Sequence, residues 1–146
     1  MTMDFQLHPR LAEDCFEVGH LLLSRVLMMN DSQFPWFILV PERAEIREIH
    51  QLDVADREQL MHESCSLAEA LTVLYQPDKL NIAAIGNLVP QLHVHHVVRY
   101  QHDKAWPAPI WGKCPAEPYD EAQARLHIER VKRQLALNEL TGAPTR

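Results

Sequence analysis

The stretch that decides the reading is Gly86-Asn87-Leu88-Val89-Pro90-Gln91-Leu92-His93-Val94-His95-His96-Val97-Val98-Arg99-Tyr100. A turn is expected around Gly86-Asn87 and Pro90, followed by a strand from Leu92 to Tyr100. Alternate side chains of a strand share a face. Gln91, His93 and His95 therefore line one side, with successive members about 6.8 Å apart. Leu92, Val94 and His96 point to the other side, toward a helix-packed core or its margin. One amide and two imidazoles in a row are too polar to bury without partners, so their face is expected to look into a cleft. Histidine is also the one compositional excess: nine in 146 residues, with His93, His95, His96 and His102 inside ten positions.

Working outward, Lys79 to Ala84 reads as the strand before the turn. Further upstream, Leu60, Leu67, Leu71 and Leu74 recur at helical intervals, with Ser64 on the same face. A long helix is expected from Asp53 or Asp56 to about Tyr75, stopped by Pro77. Before it, the runs Leu21–Met29 and Trp36–Val40 are joined by Asn30-Asp31-Ser32-Gln33-Phe34-Pro35 and read as an antiparallel hairpin. At the N-terminus, Pro9 to Val18 carries Leu11, Cys15 and Val18 at helical spacing, with Pro9 in the first turn and Gly19 as the stop. Downstream, Pro107, Pro109, Pro115 and Pro118 punctuate an irregular connection. Tyr119 to Leu137 then places Ala124, Ile128, Val131 and Leu135 on one face of a surface helix, and Thr141 to Arg146 reads as a frayed tail. The expected architecture is α+β: an antiparallel sheet of about five strands, a long helix packed on it, and helices at both ends. The chain reads as a single domain over 1–146, with a core at about 20–105, a Pro-rich connection at 106–118 and the last helix at about 119–137.

Composition narrows the function classes. Apolar residues at 47% and charged residues at 23% fit an ordinary globular chain. A net charge of −6 argues against a sequence-independent grip on nucleic acid. No apolar run approaches the ~20 residues of a membrane span. Asp4, Glu13, Asp14 and Glu17 within the first twenty residues are unlike a secretory leader. Cys15, Cys65 and Cys114 are odd in number and share no CxxC spacing, so they read as reduced thiols of a cytoplasmic protein.

With these residues in view, the chain resembles the histidine triad (HIT) family of nucleotide hydrolases and transferases, marked by His-φ-His-φ-His-φ-φ, φ being apolar. Gln91-Leu92-His93-Val94-His95-His96-Val97 matches its second and third histidines; Gln91 stands at the first, and His96 at a position that is usually apolar. Gly86-Asn87 occupies the place of the family's Gly-Gln. Met28-Met29-Asn30 and Phe37-Ile38-Leu39-Val40-Pro41 fit its upstream frame, so the likeness runs from about Val26 to Arg99, together with the order of elements. The resemblance implies that His93 attacks the α-phosphorus of a nucleotide, such as a dinucleoside polyphosphate, to form a nucleotidyl-histidine that water hydrolyses. It implies that His95 binds a nonbridging phosphate oxygen and that Gln91 occupies the remaining catalytic position. Asn87, Leu88 and Val89 are expected to meet the phosphate, partly through main-chain N–H groups, and Asn30 with Asp31 the ribose hydroxyls. It implies a homodimer, with Lys79–Ala84 as the pairing edge, and chemistry without metal or cofactor.

Plainer readings stand beside these. His93 and His95 alone are also a structural pair on a half-buried strand. A lesser reading makes them two ligands of a zinc site, whose third would come from far away, from His50, His62 or a cysteine, none of them placed by spacing. A third function class keeps the fold as a nucleotide-binding module with little catalysis. Asn87 and Asn30 are natural turn residues. Trp106 and Trp111 either stack on a base or pack against the sheet. His96 and His102 read as structural or solvent-facing, and Cys65 as a small core residue.

Overall fold

The computed structural model describes residues 4–141. In chain order it contains α1 (Pro9–Asp14), β1 (Cys15–His20), β2 (Ser24–Met29), β3 (Trp36–Pro41), a single 3₁₀ turn (Ile49–Gln51), α2 (Val54–Tyr75), β4 (Lys79–Ala84), β5 (Val94–Arg99) and α3 (Glu121–Thr141). The strands form one antiparallel sheet in the order β1-β2-β3-β5-β4. The α+β class, the hairpin, the long helix and the strand pair around the turn are as the sequence predicts.

The N-terminal helix is not. It stops at Asp14, and Cys15–His20 is an edge strand paired with β2 from Cys15↔Met29 to His20↔Arg25, with an irregularity between Glu17 and Gly19. Leu11 and Val18 share a helical interval in sequence but serve opposite sides of the sheet. Leu11 packs with Leu27, Ile38 and Val40, whereas Val18 packs with Val26 and Phe37. Pairing with β2 outweighs the weak local propensity for helix. Boundaries shift elsewhere: Leu92, His93 and Tyr100 lie outside β5, and α3 begins at Glu121 and runs to Thr141, the first residue of the expected tail. Residues 142–146 of that tail lie outside the described residues.

The caps of α2 follow from its sequence. Asp53 adopts an extended conformation and its carboxylate accepts the Asp56 N–H at 2.8 Å. At the other end Gln76 turns left-handed (φ 47°) just before Pro77, which cannot continue a helix. The inner face of α2 buries Leu60, Leu67, Ala70 and Leu71 against Met28, Phe37, Leu39, Val94 and Val98, with Val131 and Leu135 of α3 closing the layer. Each such apolar side chain contributes about 1.5–3 kcal/mol on burial. The buried Glu63 stitches α2 to the chain ahead of β2, accepting the Leu23 N–H at 2.7 Å and Gln59 Nε2 at 3.0 Å.

The opposite face of the sheet is covered by chain without long elements. Phe5, Leu7 and Leu11 lie over Leu27, Ile38 and Val40. The Pro-rich connection brings Ala105 and Ile110 over Phe34 and Val97. Arg99 anchors that connection from beneath: its buried guanidinium bonds both oxygens of Asp103 at 2.8 and 3.1 Å and Asn81 Oδ1 at 2.8 Å. A charge so buried requires this complete pairing.

Candidate active site

His93 and His95 meet on this second face. Their rings stand edge to face with centroids 4.9 Å apart, and each residue is 5% exposed. His93, just ahead of β5, places Nδ1 2.6 Å from the Gln91 carbonyl oxygen. A carbonyl only accepts, so Nδ1 carries the proton and Nε2 keeps its lone pair. Burial lowers the His93 pKa below its ordinary value; the bond to the Gln91 carbonyl opposes this and the nearby His8 adds to it. The ring is therefore neutral at pH 7.

His95 is fixed differently. Its Nδ1 accepts the Trp36 indole N–H at 2.9 Å, and the ring donates to the Ile85 carbonyl. Trp36 and Trp111 wall it at centroid distances of 5.8 and 5.3 Å. Burial, then His93 and His96, push its pKa down to about 3. His96 points through the sheet to the helix side, where Ser64 Oγ lies 2.7 Å from its Nε2 and Nδ1 donates to the Val94 carbonyl at 3.1 Å. It is a satisfied core histidine.

Beside His93 opens a cleft of about 320 Å³ that Arg47, Gly86, Asn87 and Gln91 also line. The 86–89 turn is tight: a Cβ on Gly86 would sit 2.9 Å from the Val89 carbonyl oxygen, so only glycine fits without movement.

Residues 11–102 match the HIT domain. The chain belongs to the HIT family. Among solved structures, a histidine triad protein from Marinobacter aquaeolei VT8 is 47% identical, covering 92% of this chain and 98% of its own with a TM-score of 0.90. One from Bradyrhizobium japonicum is 43% identical (91% and 99% covered, TM-score 0.89). One from Sinorhizobium meliloti 1021 is 40% identical (89% and 96% covered, TM-score 0.87). No curated protein matches the chain. HIT membership implies nucleotide binding or hydrolase activity in general.

Within this HIT domain the sequence-predicted residues separate into groups. His93, Gln91 and Asn87 line the cleft, with His95 packed against His93. The Gln91 side chain is turned to the N-terminal segment: Oε1 accepts the His8 N–H and Nε2 donates to the Gln6 carbonyl, both at 2.9 Å. Leu88 is 81% exposed, whereas Val89 is buried with Leu11 and Leu27. Asn30 and Asp31 do not line that cleft. Asn30 Oδ1 accepts the Tyr119 N–H at 2.9 Å, and Asp31 Oδ1 accepts Gln33 N at 3.1 Å and Nε2 at 3.0 Å. For a metal, His62 is drawn to Glu139 at 3.5 Å, and no group of three His, Cys, Asp or Glu converges among the described residues. No helix there is long and apolar enough to cross a membrane. Cys65 is exposed rather than a core residue.

Three residues of the site escaped the sequence reading. Trp36 had a signal, since it shares a strand face with Ile38 and hence with His95. Arg47 and His8 had none, because only the fold brings them to the cleft or to Gln91.

Proposed function

We propose that this HIT protein is a hydrolase or nucleotidyl transferase that cleaves a nucleotide at the α-phosphate through a nucleotidyl-histidine on His93. The observation that carries the reading is the 2.6 Å bond from His93 Nδ1–H to the Gln91 carbonyl, which leaves Nε2 unprotonated on a neutral ring beside the cleft. Nε2 forms a bond to the α-phosphorus while the bond from phosphorus to the leaving oxygen breaks, the leaving group taking the electron pair. Water then attacks the same phosphorus and gives up a proton to solvent; the P–N bond breaks, its electron pair returns to Nε2, and a nucleoside monophosphate leaves. His93 and water supply every bond made or broken. The Asn87, Leu88 and Val89 main-chain N–H groups balance charge on the phosphate oxygens, and the His95 N–H joins them by exchanging the Ile85 carbonyl for a phosphate oxygen when substrate binds. The family motif assigns Asn30 and Asp31 to the ribose, which would then extend beyond the cleft beside His93; their Nδ2 and Oδ2 have no partner among the described residues.

Gln91 stands where the first triad histidine stands in the family motif, and its amide cannot deliver a proton. Leaving groups that depart as weakly basic phosphates therefore suit the site, whereas an amine leaving group needs a general acid. A dinucleoside polyphosphate is expected to turn over faster than an adenosine phosphoramidate. The test of the whole reading is rapid quench with such a substrate, followed by peptide mass mapping under basic conditions. A nucleoside-monophosphate increment on His93 supports it; an increment on His95 or His96, or none with any nucleotide, rejects it. Free Cys15, Cys65 and Cys114 fit a cytoplasmic setting. We further infer a homodimer in which the whole chain acts as one domain, since β4 is an edge strand, Ile82 on it is exposed, and Met61 and Val73 of α2 are exposed as well.

A further inference from the structure

We propose that His8 is a substrate-contacting residue of this site, held beside His93 by Gln91, and that its Nε2–H donates a hydrogen bond to the phosphate under attack. The inference rests on the reading of His93 as nucleophile and goes beyond the motif, since His8 lies 83 positions upstream of Gln91, where the motif begins.

Gln91 is the joint. An amide presents an acceptor and a donor side by side, as a peptide group does, and both ends of this one are bonded to the backbone of the N-terminal segment. Oε1 takes the His8 N–H at 2.9 Å and Nε2 gives to the Gln6 carbonyl at 2.9 Å, which is the pattern of a strand edge. The main-chain carbonyl of the same Gln91 accepts from His93 Nδ1 at 2.6 Å. One residue thus positions both imidazole-bearing segments. The segment is seated on its other side by Phe5, Leu7 and Leu11 against Leu27, Ile38 and Val40, with the Arg25 guanidinium 5.4 Å from the Phe5 ring centre.

The His8 tautomer is also defined. Its Nδ1 accepts the Arg10 N–H at 3.0 Å as the cap of α1, so the neutral ring carries its proton on Nε2. That nitrogen has no partner among the described residues, and the side chain is half-buried. Gln91 ties the two histidines together, its side-chain Oε1 on the His8 N–H and its main-chain carbonyl on His93 Nδ1, and the lowering of the His93 pKa by His8 agrees with that placement. A free donor on a capped ring, in the segment that Gln91 ties to the phosphate-attacking histidine, matches what a developing phosphoryl charge requires.

The competing role for His8 is capping alone, and His8→Asn separates the two. Asparagine is a strong N-cap, so the variant keeps the cap and melts within a few degrees of wild type. Loss of the donor should slow formation of the His93 adduct about 10²-fold, with AMP affinity changed far less. Gln91→Ala should impair the same step, and the double variant should be little worse than the poorer single one. Independently, AMP titration followed at the imidazole nitrogens of the wild-type protein should shift His8 together with His93. Adduct formation at the wild-type rate in His8→Asn overturns the inference, as do AMP shifts at His93 without any at His8. Failure of the underlying reading looks different: AMP moves no imidazole and the wild type forms no adduct, and then both fall together.

Discussion

His93, His95 and His96 are three imidazoles within four positions, and their surroundings give them three jobs. His93→Ala removes the proposed nucleophile and should abolish turnover while AMP still binds. His95→Ala removes one charge-balancing group and should cost about 10²–10³-fold in kcat. His96→Ala should act on stability instead, because it leaves Ser64 unpaired and opens a cavity, at about 2–4 kcal/mol. Acid has a defined sign here. An unfolded histidine takes up its proton near pH 6.5, whereas burial pushes His96 down to about 4 in the fold. Between these values the unfolded state holds more protons, so stability present above pH 6.5 is lost as pH falls toward 4. His96 alone accounts for on the order of 2 kcal/mol at pH 5. His95 acts in the same direction. Denaturant midpoints at pH 7 and pH 5 should separate accordingly, and the gap should narrow in a His96→Ala variant. Turnover should also decline in acid as His93 itself takes up a proton, at a pH lower than an ordinary histidine would because burial lowers its pKa.

At the scale of elements, the 86–89 turn and the β3–β5 pair carry the site. The Gly86 Cβ position is 2.9 Å from a main-chain oxygen, which cannot swing away as a side chain could. Gly86→Ala should therefore displace the turn, weakening AMP binding at least tenfold while the melting temperature changes by only a few degrees. Calorimetric titration and thermal melts of the same sample check both halves of that expectation. Trp36→Phe keeps most of the packing beside His95 but removes the N–H that Nδ1 accepts at 2.9 Å. The ring is then free to change tautomer, and kcat should fall while KM stays close to wild type.

At the scale of the whole molecule, both faces of the sheet are covered, α2 and α3 on one side and the N-terminal and Pro-rich segments on the other. The β4 edge with its exposed Ile82, and the exposed Met61 and Val73 of α2, remain for a second copy. Sedimentation or light scattering at micromolar concentration should give twice the 16.9 kDa chain mass, and Ile82→Lys should shift it toward one chain. A wild-type monomer at that concentration refutes the pairing.

What the sequence determined by itself is whatever repeats locally. The α2 face was legible in Leu60, Leu67 and Leu71 at helical intervals. The β2–β3 hairpin was legible in two apolar runs around Asn30-Asp31-Ser32. The histidines were legible in strand alternation, which set His96 opposite His93 and His95. Tertiary structure decided whatever depends on a partner distant in the chain. Cys15–His20 became a strand because β2 offered an edge, against a helical spacing in its own residues. Asn30 and Asp31, expected at the ribose from the family motif and equally natural in a turn, have Oδ1 atoms that bond the distant Tyr119 and the nearby Gln33. Gln91 had no periodicity to reveal that its amide binds Gln6 and His8, more than 80 residues away. Local pattern encodes which face a side chain takes; only long-range contact, whose closure entropy is met by the core as a whole, encodes what it meets there.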